Sequence, residues 1–120
     1  AAKLGVERIV AIDIDPIAAE IARRNCDSND VSAGIEISAG TLDPSHAGRY
    51  DLVVSNISTP ANTALAASFG VVVKSGGDLI LSGILAVDAP EVNAAMNAHG
   101  FERLSMAEER DWCCIHLKRR

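Results

Sequence analysis

Four stretches of this 120-residue chain end on residues able to meet a ligand. Asp13 closes the apolar run Arg8-Ile9-Val10-Ala11-Ile12-Asp13, and Asn56 closes Tyr50-Asp51-Leu52-Val53-Val54-Ser55-Asn56. Ser82-Gly83 ends Asp78-Leu79-Ile80-Leu81-Ser82-Gly83, and Ala39-Gly40-Thr41 follows an alternating segment. In open parallel sheets ligands settle outside the carboxyl ends of the strands, where strand order reverses. A strand-end carboxylate there accepts hydrogen bonds from both hydroxyls of a nucleoside ribose, and Asp13 suits that task. The other use of such a carboxylate, capping the next helix, falls to Asp15, which directly precedes Pro16. The Asn56 amide offers one donor group and one acceptor. It could orient an amine so that its lone pair faces an electrophilic methyl group, a positioning role and not acid-base work. Taken without other context, a plain Asx turn ahead of the helix at Pro60 is the favoured use of that side chain. Gly83 either lets the backbone approach a substrate closely or marks a strand end.

The remaining reactive residue types point to packing and solvent. His46 falls in a loop, His99 at a helix end where a cation suits the dipole, and His116 inside a terminal strand, so no two share a metal-ligand spacing. No metal is expected. Cys26, Cys113 and Cys114 form no C-x-x-C pair and are odd in number, which fits neither a disulfide framework nor a tetrahedral zinc site and implies a reducing, cytoplasmic setting. Cys113 and Cys114 must point to opposite faces of one strand, one toward the core. Trp112 reads as packing in the first instance, with substrate stacking as the alternative.

Local signals define the elements that carry these residues. Residues 1–4 followed by Gly5 read as a last helical turn with its C′ glycine, implying a helix whose upstream part is absent. Residues 8–13 are a strand buried on both faces. Asp15-Pro16 opens a helix through Asn25 with Ile17, Ala18, Ile21 and Ala22 on one stripe, broken at Ser28-Asn29-Asp30. Ile35-Glu36-Ile37-Ser38-Ala39 alternates as a strand nearer a sheet edge, and residues 43–48 are loop. After the strand ending at Asn56, Thr59-Pro60 caps a helix through about Val72, and Ser75-Gly76-Gly77 turns into the next strand. Asp88-Ala89-Pro90 caps a helix to Ala98; strands over 102–106 and 111–118 then form an antiparallel hairpin around a turn at 108–110.

The composition agrees with this picture. The chain is 48% hydrophobic but 3% aromatic, so Ala, Val, Ile and Leu must build the core, the usual filling of a buried parallel sheet. Its length allows one domain. A formal net charge of -5, with only Lys118-Arg119-Arg120 as a basic cluster, argues against direct nucleic-acid binding; that tail reads as a solvated terminus. No apolar run approaches the roughly 18 residues that a membrane helix needs, and no signal-peptide pattern is present. The expected fold is α/β: a mostly parallel, doubly wound, Rossmann-like sheet with an antiparallel C-terminal hairpin.

The order of these motifs resembles the ribosomal protein L11 methyltransferase family. The resemblance rests on Val10-Ala11-Ile12-Asp13-Ile14-Asp15-Pro16, Tyr50 with Asp51-Leu52-Val53-Val54-Ser55-Asn56-Ile57, Lys74-Ser75-Gly76-Gly77, and Leu79-Ile80-Leu81-Ser82-Gly83-Ile84-Leu85. The Gly100-Phe101 pair and Glu109-Arg110-Asp111-Trp112 resemble that family's closing helix and hairpin. Strand-Asp and Lys-x-Gly-Gly are generic to class I methyltransferases, whereas Ser-Asn-Ile with Ser-Gly-Ile-Leu is more specific.

The resemblance implies an S-adenosylmethionine-dependent protein N-methyltransferase acting on amino groups of ribosomal protein L11. It implies Asp13 and Ile14 at the cofactor ribose, Gly40 and Thr41 beside the adenine, and Asn56 at the cofactor. Asn56 and Ile57 together would form the catalytic pair bordering the methyl group and the amine. Thr41 departs from the acidic residue expected there. The resemblance also implies that residues 1–120 are the C-terminal part of a class I methyltransferase domain, starting after its first strand and glycine loop and inactive on its own. Two competing readings are a non-catalytic nucleoside-binding or interaction module and an NAD-binding Rossmann fragment in which Asp13 reads the NAD ribose; the terminal hairpin and Ser-Asn-Ile favour the methyltransferase.

Overall fold

The computed structural model describes residues 9–13, 16–29, 35–39, 42 and 48–120. The helix end expected at residues 1–5, the Asp15 cap, His46 and the loop over 43–47 lie outside them. The chain separates into two compact units, Ala1–Leu42 and Asp43–Arg120.

In the first unit, β1 (Ile9–Asp13), α1 (Pro16–Ser28) and β2 (Ile35–Ala39) form a strand-helix-strand crossover. The strands pair in parallel from Ile9↔Ile35 to Asp13↔Ala39, so both carboxyl ends share one edge. Parallel pairing requires such a crossover, and α1 supplies it. The helix runs past the expected end at Asn25 and stops at Ser28, and Asn29 completes its last turn, its backbone N–H reaching the Asn25 carbonyl at 3.1 Å and its side-chain amide donating to the same oxygen at 2.8 Å. Arg23 ties α1 to β2 by donating to the Ile37 carbonyl at 3.0 Å. The stripe expected to be buried is not the one covered within this unit: Ala19 is buried, whereas Ile17 and Ile21 are 70% and 51% exposed. A surface two strands wide admits the small alanine at close approach and leaves the larger side chains outside it.

In the second unit a four-stranded sheet has the order β3-β4-β6-β5. β3 (Tyr50–Asn56) runs parallel to β4 (Val73–Leu85), while β6 (Trp112–Arg119) is antiparallel to both β4 and β5 (Phe101–Glu109). Pairing among the described strands is therefore mixed, two parallel ladders and two antiparallel, with the expected hairpin at the C-terminus. Its turn is tighter than expected, with Arg110 at φ 57 between longer strands.

Three helices, α2 (Thr59–Ala64), α3 (Ala66–Val72) and α4 (Ala89–Ala98), pack against β4 and β5. Beneath them Leu79, Leu81, Ile84, Ile115 and Leu117 are buried, together with Phe69, Val72, Val92, Met96 and Phe101. The single helix expected over 59–72 is two, broken at Leu65 (φ -90, ψ 0). Its cap is Ser58, one residue before the expected Thr59: the extended Ser58 backbone lets its hydroxyl accept from the Ala61 N–H at 3.4 Å. Asp88 occupies the N-cap of α4, but its side chain accepts no capping bond, since a 3-10 turn, Ala86–Asp88, already leads into the helix.

β4 absorbs what the sequence suggested were a turn and a strand end. Ser75-Gly76-Gly77 lies inside the strand: between Tyr50↔Val73 and Leu52↔Asp78 the ladder slips, and Gly76 takes φ 80 to accommodate the extra residues. The basic tail is not a free terminus. Arg119 Nε donates to the Gly70 carbonyl at 3.0 Å, and Arg120 donates to the Phe101 carbonyl at 3.0 Å and to the Asn97 side chain, so the chain end is tied to α3, α4 and β5. Cys113 is buried and Cys114 half-buried, as opposite faces require, and burial pushes the Cys113 thiol up, with Glu108 adding to the effect.

The other sheet face carries Asp78, Ile80 and Ser82 with Leu52 and Val54, the last two 50% and 62% exposed. Asp78 accepts from His116 Nε2 at 2.9 Å and lies 3.7 Å from Lys118 Nζ, and the His116 bond, opposed by desolvation and helped by Lys118, holds its carboxyl below the ordinary value.

Two outcomes are expected. Phe101→Ala should lower unfolding free energy by about 3–5 kcal/mol in urea titrations, and a loss under about 1 kcal/mol would contradict the core assignment. The depressed Asp78 group stabilises the fold above the ordinary aspartate range, near pH 4, and that contribution disappears as pH falls through its folded value. The unfolding midpoint of wild type should therefore fall relative to that of Asp78→Asn as pH drops from about 5 to below about 4; parallel curves across that range would refute it.

Candidate functional site

The run Leu52-Val53-Val54 is apolar and β-branched, which carries β3 forward until the polar Ser55-Asn56 ends it. Because β3 and β4 are parallel, Asn56 stands in register with Ser82 and both strands deliver their carboxyl ends to one edge. There β4 changes register with β6: Leu81↔Ile115 is followed by Ile84↔Cys113, leaving an extra residue on β4 at the Ser82-Gly83 step.

Gly83 takes φ 76, a left-handed conformation that L side chains rarely adopt. A Cβ on Gly83 would stand 2.7 Å from Asn56 Oδ1 and 2.9 Å from the Ile57 carbonyl oxygen. Gly83 does not mark a strand end, since β4 runs on to Leu85, and the group that lies close to it is this chain's own Asn56-Ile57 segment. Asn56 remains exposed and Ile57 is 36% exposed.

Behind this exposed pair lies a residue that the sequence did not single out. Asn62, on α2, is fully buried. Ser55 Oγ donates to its Oδ1 at 2.8 Å, and its Nδ2 donates to the Ile57 carbonyl at 2.9 Å. Its backbone N–H donates to the Ser58 carbonyl at 2.9 Å. A buried amide left unpaired costs about 1–3 kcal/mol, so these bonds make the interior position tolerable. The signal available was a polar residue within Ala61-Asn62-Thr63-Ala64-Leu65-Ala66, four residues after the Ser58 cap, a position facing the core.

The expected site residues are thus distributed unevenly. Asn56 and Ile57 come together with Ser82 and Gly83 in the second unit. Asp13 ends β1 in the first unit, in register with Ala39. Ile14, Gly40 and Thr41 lie outside the described residues. Trp112 pairs with Leu85 at the end of β4 and is 55% exposed, so it is not a core packing residue. Among the described residues no group of three or more His, Cys, Asp or Glu could hold a metal ion.

Comparisons with known proteins agree on one relationship. The family model described as ribosomal protein L11 methyltransferase (PrmA) matches residues 1–120. A curated ribosomal protein L11 methyltransferase of Exiguobacterium sp. is 37% identical over 119 residues, which are 99% of this chain and 38% of that protein. The chain thus spans well under half the length of this curated relative. A crystal structure of ribosomal protein L11 methylase from Lactobacillus delbrueckii subsp. bulgaricus superposes with a TM-score of 0.90 at 24% identity, over 98% of this chain and 61% of that one. Geranyl diphosphate methyltransferase in complex with SAM shares the fold at TM-score 0.78 and 9% identity, over 94% of this chain and 69% of that one.

Gly83→Ala should destabilise the protein by about 1–2 kcal/mol through its backbone conformation alone, with more from the collision with Asn56. Urea unfolding measures the loss, and side-chain amide NMR of Asn56 should shift; a variant with wild-type stability and an unmoved Asn56 resonance would contradict the close approach.

Proposed function

The chain belongs to the ribosomal protein L11 methyltransferase family, and from that premise we propose that it carries the methyl- and amine-facing part of an S-adenosylmethionine-dependent N-methyltransferase site. The protein substrate in this reading is ribosomal protein L11, with no direct contact to nucleic acid. Residues 1–120 form the C-terminal part of a class I methyltransferase domain, and the protein works in the cytoplasm, consistent with its three free cysteines. No helix among the described residues is long and apolar enough to cross a membrane.

The observation that carries the reading is the exposed Asn56-Ile57 pair, pressed against Gly83 at the carboxyl end of two parallel strands. The residues present suit the cofactor: Asp13 and Asn56 each end a parallel strand pair on a polar side chain, and the absence of a Cβ at Gly83 makes room for the Asn56 side chain beside it. A bound S-adenosylmethionine supplies a methyl group on a positively charged sulfur. Asp13, with Ile14, would hold the ribose hydroxyls, and Gly40 and Thr41 would flank the adenine. The Asn56 amide accepts an N–H of the incoming neutral amine and so aims its lone pair along the line of displacement. Ile57 covers the approach and limits water. In such a transfer the nitrogen would gain the carbon, the carbon–sulfur bonding pair would stay on sulfur, and one proton would leave the nitrogen to solvent. Neither Asn56 nor Ile57 titrates, so their contribution is alignment.

Calorimetric titration of S-adenosylhomocysteine tests the reading, using the 120-residue chain beside a version extended upstream through a strand and glycine loop taken from a relative. Binding confined to the extended form is the expected result, with Asp13→Ala about tenfold weaker or worse. Asn56→Ala should lower kcat by about a hundredfold with little change in cofactor affinity. Failure of both forms to bind, or unchanged affinity and turnover in the two variants, would sink it.

A further inference from the structure

The Ser55–Asn62–Ile57 bonds do more than satisfy a buried amide. They grip the residues immediately before and after Asn56 and leave Asn56 itself free of the grip. Ser55 Oγ is drawn inward to Asn62 Oδ1, so strand alternation directs the next side chain, Asn56, to the opposite and exposed side. The Ile57 carbonyl is drawn inward to Asn62 Nδ2, while its oxygen also lies where a Cβ on Gly83 would collide. The peptide after Asn56 is therefore clamped between α2 on one side and the bulge of β4 on the other.

We infer that Asn62 is a positioning residue for methyl transfer, acting through Ser55 and Ile57 to fix the direction in which Asn56 presents its amide. This rests on the reading of Asn56 as the amine-aiming group. The requirement is chemically narrow. The position needs an acceptor for the Ser55 hydroxyl and a donor for the Ile57 carbonyl on one short, uncharged, buried side chain. Aspartate keeps the acceptor but turns a second oxygen toward the Ile57 carbonyl, leucine fills the space with neither group, and glutamine is a methylene too long for a packed interior. A side chain serving only stability would be replaceable by leucine at the cost of stability alone.

The test separates these roles with Asn62→Leu, Ser55→Ala and a control, Val92→Ala, which opens a cavity at a buried position of α4 that makes no hydrogen bond to Ser55, Asn56 or Ile57. Kinetics are read in the full-length protein below the unfolding range of each variant. Positioning predicts that Asn62→Leu loses about tenfold or more in kcat while KM for the cofactor stays within about twofold. Ser55→Ala, which removes one of the two bonds and is read in its place if Asn62→Leu does not fold, should show a smaller loss of the same kind. Val92→Ala, though destabilised, should keep wild-type kcat. Independently of turnover, ligand-free 15N relaxation should show the Asn56 side-chain amide loosened in Asn62→Leu and Ser55→Ala and unchanged in Val92→Ala. The inference is overturned if Asn62→Leu and Ser55→Ala turn over at the Val92→Ala rate, whatever the relaxation shows. It is also overturned if the Asn56 amide keeps wild-type relaxation in both variants. Absence of turnover in the wild-type protein would instead overturn the reading of Asn56, and the positioning role would fall with it.

Discussion

Burial of one face of β4 is the constraint on which the second unit depends. Leu79, Leu81 and Ile84 are all at zero exposure, and β4 pairs with β3 on one side and β6 on the other. Since side chains alternate along a strand, covering that face under α2, α3 and α4 dictates which residues stand on the other. Asp78, Ile80 and Ser82 are thereby placed on the half-exposed face, and β3 must bring Leu52, Val54 and Asn56 into register beside them. The strand accommodates this fixed pattern with two irregularities, one at Ser75-Gly76-Gly77 and one at Ser82-Gly83. The second re-aims the backbone beside Asn56, as a bulge near the end of a strand does.

Around that frame the polar groups divide by environment. Asn62 is fully enclosed and meets each polar partner with a directed bond, because an unmatched amide in the interior is expensive. Asp78, His116 and Lys118 are only partly covered, so solvent screens their attraction and the cluster matters chiefly for the pH dependence of the sheet face. At the chain terminus the two arginines act through geometry more than through charge, since their partners are mainly carbonyl oxygens at the ends of helices and strands, which a planar, multiply donating guanidinium is suited to gather.

Family membership and fold carry different weight in assigning chemistry. Structural likeness at 9% identity shows only that the same sheet supports the superposed protein, and one fold hosts many reactions. The match across residues 1–120 shows the family, while the chain's span of 38% of its Exiguobacterium relative leaves most of that protein's length outside the comparison.

Periodicity and strand-end residues in the sequence determined the α/β class, the bounds of β2 and β3, the terminal hairpin and the identity of Asn56 as a strand-end amide, because these follow from local preferences of a few neighbouring residues. Charge pattern read Lys118-Arg119-Arg120 as solvated, and Lys118 and Arg120 are exposed, but it could not show that carbonyls of residues 70, 97 and 101 bind the arginines, since these are neighbours only after folding. The same limit hid the break at Leu65, the strand running through Gly76 and the role of Gly83, each fixed by register against another strand or by helix packing. Asn62 is the clearest case. Its type was visible, but whether an asparagine on a short helix caps, solvates or braces depends on what faces it, and only the tertiary structure brings Ser55 and Ile57 to its two ends.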